Sequence, residues 1–129
     1  MAIPLQITVD SRDPRRLAAF WAVALGYVLQ PPRPGYLTDD DEEQYTALVD
    51  PAGVGPRVLF QRVPEAKNGK NRLHLDVNAG HGAPDRRSAV RRHAAQLVAV
   101  GATVLHEMDE QAGWWMVLQD PEGNEFCLQ

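Results

Sequence analysis

Between Lys67 and Val77 the chain reads Lys-Asn-Gly-Lys-Asn-Arg-Leu-His-Leu-Asp-Val, and three ionisable side chains recur in it at a spacing of two: Arg72, His74 and Asp76. On an extended strand that spacing puts all three on one face and Leu73, Leu75 and Val77 on the other. An imidazole beside a carboxylate has its tautomer fixed and can serve as a general acid or base. A guanidinium on the same face offers a fork that matches a carboxylate or another planar anion. The plainer alternative is a structural histidine hydrogen-bonded to Asp76 or Thr8. Cys127, the single cysteine, excludes an internal disulfide and reads as a small buried hydrophobe rather than a nucleophile, because no motif activates it.

Aromatic residues supply the other half of a candidate site. Trp114-Trp115 puts one indole on each side of a strand, and parity assigns Trp115 to the cavity side and Trp114 to the helix layer. Phe20-Trp21 reads as core packing on a helix. A cavity holding a tryptophan, His74, Arg72 and glutamine side chains suits a flat ligand bearing a carboxylate or carbonyl, with Lys67 and Lys70 at the rim to steer an anion. The acidic run at 38–43 reads as a solvated turn rather than a cation site.

The elements that must position these residues follow from periodicity and turn chemistry. A chain of 129 residues is one domain by size, long enough to bury about 65–70% of its unfolded surface. Its net charge of −4 argues against nucleic acid as a partner, and no apolar run approaches a membrane span. The expected compartment is cytoplasmic. Leu5–Asp10 alternates as a strand. Asp13-Pro14 starts a helix carrying Leu17, Phe20, Trp21, Ala24 and Leu25 inward, and Gly26 ends it. Strands are expected over Tyr27–Gln30, broken by Pro31, Pro32 and Pro34, then over Tyr45–Val49 and Arg57–Val63. The second half predicts a strand over Leu73–Val77, a helix over Pro84–Val100, and strands over Ala102–His106, Trp114–Leu118 and Glu125–Leu128.

Written out, strand, helix and three strands occur twice. Ile7-Thr8-Val9-Asp10 matches Leu73-His74-Leu75-Asp76, and Leu25-Gly26 matches Val100-Gly101. Leu48-Val49-Asp50-Pro51-Ala52-Gly53 matches Leu118-Gln119-Asp120-Pro121-Glu122-Gly123. One βαβββ unit cannot bury both its helix and the other face of its sheet, so duplication has a physical purpose. The fold class is therefore α+β, with module 1 about 1–66 and module 2 about 67–129. Side by side they would form one curved eight-stranded mixed sheet around a cavity, helices outside.

Asp13-Pro14, Leu17-Ala18-Ala19-Phe20-Trp21, Leu25-Gly26-Tyr27, Lys70-Asn71-Arg72-Leu73-His74-Leu75-Asp76 and Asp120-Pro121-Glu122-Gly123-Asn124-Glu125-Phe126-Cys127 together resemble the vicinal oxygen chelate superfamily, in its glyoxalase-like, bleomycin-resistance-type branch. The resemblance spans the chain and implies a small organic ligand and a homodimer. It also implies metal positions on the first and last strands of each module, which fall here on Gln6, Gln61, Arg72 and Cys127. Arginine has no acceptor and cannot ligate a metal. Hard divalent ions prefer carboxylates to thiolate or a lone glutamine. No metal or cofactor is therefore expected, the alternative being a zinc-like site built from His74 with Gln6, Cys127 or Glu125. Gln6, Thr8, Gln61, Arg72, Asp76, Trp115 and Cys127 are the expected ligand-binding residues. The expected function is a small-molecule-binding protein, with an isomerase or lyase using His74 as acid/base as the alternative.

Overall fold

A computed structural model describes residues 1–31 and 43–129. The breaking residues Pro32 and Pro34 and most of the acidic run lie outside them. The contacts divide the chain into two compact units, Met1–Ala66 and Lys67–Gln129.

In the first unit, β1 (Ile7–Ser11), α1 (Pro14–Leu25), β2 (Val28–Leu29), β3 (Tyr45–Val49) and β4 (Val58–Arg62) follow in order. Asp13 caps α1 by accepting the Arg16 amide at 3.2 Å, with Pro14 at the first helical position. Gly26 closes it in the left-handed region at φ 69°, where a side chain would be strained. The helix buries Leu17, Phe20, Trp21 and Ala24, the expected stripe less the half-buried Leu25, and Phe20 meets Trp21 edge-on at 5.6 Å. Opposite them Leu48, Val58 and Phe60 are also buried. The sheet order is β1-β4-β3-β2, with β1 and β4 parallel.

The second unit repeats the plan with β5 (Asp76–Val77), α2 (Arg86–Ala99), β6 (Thr103–Glu110), β7 (Gly113–Gln119) and β8 (Glu125–Leu128). Its order, β5-β8-β7-β6, is that of the first sheet, again with the first and last strands parallel. The eight expected strands are thus paired as two four-stranded mixed sheets, one in each unit. Asp85 caps α2, accepting the Ser88 amide at 3.1 Å and the Ser88 hydroxyl at 2.7 Å. The first three residues of the predicted helix, 84–86, therefore lose two to the cap and its approach. Val90, Ala94 and Leu97 are its buried residues.

β5 departs most from expectation. Only Asp76–Val77 form the ladder, and Leu73, expected inward, is 88% exposed. The cause is the Asn71 carboxamide. The Glu125 amide donates to Asn71 Oδ1 at 3.1 Å, and Asn71 Nδ2 donates to the Leu73 carbonyl at 2.8 Å. A regular ladder would join Glu125 directly to Leu73, so the side chain is inserted in the rung and pushes 72–74 outward. The regular ladder resumes with the Cys127 amide on the Leu75 carbonyl at 2.9 Å.

Candidate functional site

The sheet of the second unit has two unlike faces, and register assigns each residue to one of them. Trp114, Met116, Leu118, Phe126 and Leu128 alternate onto the buried face. Three guanidiniums from α2 lie over the Trp114 ring: Arg86 at 5.7 Å, Arg87 at 5.3 Å and Arg91 at 5.1 Å. Two of them are held by carboxylates of β6, Arg91 by Glu107 at 2.9 Å and Arg87 by Asp109 at 3.4 Å. The hydrogen bond from Arg91 is the main reason the Glu107 carboxyl sits below the usual range, with a further one from Trp114. Arg86, Arg87 and Arg91 of α2 thus do structural work.

The opposite face carries the candidate site. Asp76 pairs with Cys127 and Val117 with Cys127, so all three share it, with Trp115 one step along β7. His74 Nε2 lies 3.3 Å from Asp76 Oδ1, and both side chains are half exposed. The ligand-type atoms of His74, Asp76 and Cys127 all lie within 4.8 Å of one another. Burial, with Asp76 and Glu125 nearby, pushes the Cys127 thiol up to about 11, so it is a neutral thiol at pH 7. At the next β8 position on this face, Glu125 receives Lys70 Nζ at 2.5 Å, which lowers its carboxyl, helped by Lys67 and His106.

The other expected residues fall as follows. Arg72 is exposed and outside the cluster; the neighbour of Cys127 and Asp76 is His74. Trp115 is half-buried on the face away from Trp114, as parity requires. In the first unit Gln6 donates to the Thr8 hydroxyl at 3.2 Å and accepts Arg57 at 2.6 Å. Gln61 stands opposite Asp10, the register position that Cys127 holds opposite Asp76. Asn71 was absent from the expected site, although it fixes where His74 leaves the ladder.

As a metal site, the donor set of one imidazole just before β5, one carboxylate on β5 and one thiol on β8 fits a borderline ion such as zinc better than a hard one. His74, Asp76 and Cys127 would hold such an ion, which would supply Lewis acidity at this face.

A family model described as "Glyoxalase-like domain" matches residues 6–129. No curated protein sequence matches the chain. Among solved structures, the chain is similar to a glyoxalase/bleomycin resistance protein/dioxygenase family enzyme from Burkholderia phytofirmans PsJN, at 19% identity and TM-score 0.67 over 95% of this chain and 94% of that one. It is also similar to the fosfomycin resistance protein FosX from Listeria monocytogenes in complex with Mn(II), at 13% identity and TM-score 0.69, covering 100% and 90%. TioX from Micromonospora sp. ML1 follows at 18% identity and TM-score 0.58, covering 98% and 97%. Identities this low speak for the fold alone.

Proposed function

This chain belongs to the glyoxalase-like domain family, and from that premise we propose that it binds a small organic molecule at His74, Asp76 and Cys127 and holds it without turnover. The observation that carries the reading is the donor set. A hard divalent ion of the kind named in the FosX structure wants several anionic oxygens, whereas this cluster offers one carboxylate, one imidazole and a thiol held neutral. Those groups serve instead as hydrogen-bonding partners for a ligand's carbonyl, hydroxyl or anionic group.

A second reading is favoured by one contact. The 3.3 Å approach of His74 Nε2 to Asp76 orients the imidazole, as a general acid or base in an isomerase or lyase requires. The two separate experimentally. The full chain is screened by thermal shift against aromatic acids, hemithioacetals and antibiotics, and each hit is followed for chemical change. Binding that His74→Ala weakens, with no product, supports sequestration; product formation that His74→Ala abolishes, with the fold intact, supports the enzyme. Hits that His74→Ala leaves unaffected in both binding and turnover would remove His74 from either role.

A further inference from the structure

At the end of the second unit's sheet away from the Asp120 turn, a cavity of about 280 Å³ opens between the Ala112-Gly113 hairpin, the turn carrying His81 and the first turn of α2. The geometry points to a binding pocket here, next along the same sheet face but lined by none of His74, Asp76 and Cys127, for a one- or two-ring aromatic ligand bearing a carboxylate.

Its polar and apolar groups converge in the way such a ligand needs. Half-buried Trp115 lines the cavity and brings an aromatic ring system to it, and its indole N–H has no partner among the described residues. Arg86 supplies the cation. One of its N–H groups donates to the Trp114 carbonyl at 3.0 Å, and its Cζ lies over the Trp114 ring, 5.7 Å from the centroid. A guanidinium has five N–H donors, so a fork remains for a planar anion. The His81 imidazole adds a second polar group and makes no hydrogen bond or ion pair among the described residues. Among the described residues that line the cavity, Arg86 carries the one permanent side-chain charge, and that cation is the attraction for an anion.

The walls are preformed. The Gly80 amide donates to the Gln129 carbonyl at 3.0 Å, and the His81 amide to the Asn78 carbonyl at 3.1 Å. Gln129 Nε2 bridges to Asn78 Oδ1 at 3.0 Å. A Cβ on residue 80 would come within 2.3 Å of Arg86 Cγ, so only glycine lets this turn close on the arginine. Little ordering is left to pay on binding. The volume is near the lower end of small-molecule sites, about 300–1,000 Å³, which limits the ligand to one or two rings.

The test is calorimetric titration of the full chain with 2-naphthoate and with its neutral isostere 2-naphthamide. The naphthoate should bind at least about tenfold more tightly, the difference a charge-assisted fork supplies. Arg86→Gln should abolish that preference, and Trp115→Leu should weaken both ligands about equally. Should Arg86→Gln disturb folding, Arg86→Lys keeps the charge and a donor for the Trp114 carbonyl, and should still lose most of the preference. No naphthoate binding to the wild-type chain at millimolar concentration would overturn the proposal. So would naphthoate binding that survives Arg86→Gln but disappears in His74→Ala, which would put the ligand at the other cluster.

Discussion

Cys127 and His74 sit side by side yet differ in what the sequence could say about them. Repeat arithmetic put Cys127 on the last strand, and the register opposite Asp76 agrees with the alignment of Gln61 opposite Asp10. The same arithmetic placed Arg72 at the position paired with Gln6, and nothing in residue types alone revealed that the chain leaves the ladder between Asn71 and Leu75. That displacement depends on a side chain inserted in a backbone rung, a tertiary event with no periodic signature. The raised thiol has a direct consequence. Because Cys127 is protonated below about 11, its thiolate fraction grows about tenfold per pH unit up to that point. Alkylation of the native protein by iodoacetamide should therefore be slow at pH 8 and still accelerating at pH 10. A rate that levels off by pH 9 would show that burial does not hold the thiol neutral.

At the scale of elements, local chemistry read from the chain was most reliable where a cap or turn is encoded by adjacent residues. α1 matches its predicted bounds because Asp13-Pro14 and Gly26 fix both ends. Likewise Asp50 accepts the amides of Ala52 and Gly55, each at 2.8 Å, while Asp120 accepts those of Glu122 and Asn124, at 2.9 and 3.0 Å. The two matching Asp-Pro turns are the same device used twice. β6 was under-read: it runs Thr103–Glu110, four residues past the expected end, with a bulge between Val104 and His106. Its exposed outer half, Glu107 and Asp109, has no apolar alternation to read and is held by arginines of α2. Asn71 carries the element-scale prediction. Asn71→Ala removes the partner of the Glu125 amide and of the Leu73 carbonyl, which should cost about 1–3 kcal/mol in chemical denaturation. Amide exchange should speed up at Glu125 and stay slow at Leu118, which lies inside the β6–β7–β8 ladder. An unchanged exchange rate at Glu125 would contradict the inserted-rung account.

At the scale of the whole molecule, duplication was the feature that made the fold readable, because two weak patterns with one spacing constrain each other. The chemistry was less readable, because a shared fold does not specify which side chains act in it. Electrostatics acts on the whole chain through carboxylates that the fold pulls below their usual range: Asp50, Asp85, Glu107 and Glu125. Each binds its proton less tightly folded than unfolded. Their stabilisation is present above the unfolded value, about pH 4, and is lost as pH falls through the lower folded values. Tm should therefore be level between pH 7 and 5 and fall below about pH 4, as differential scanning calorimetry would show; a Tm that rises on acidification would reverse that sign. The central claim, a glyoxalase-like domain whose donor set suits a bound organic ligand rather than a hard metal, meets its most direct test in the metal content of protein purified without chelator. The account predicts manganese, magnesium and calcium well below one equivalent per chain. One equivalent of any of these, lost with ligand binding on dialysis against chelator, would contradict it.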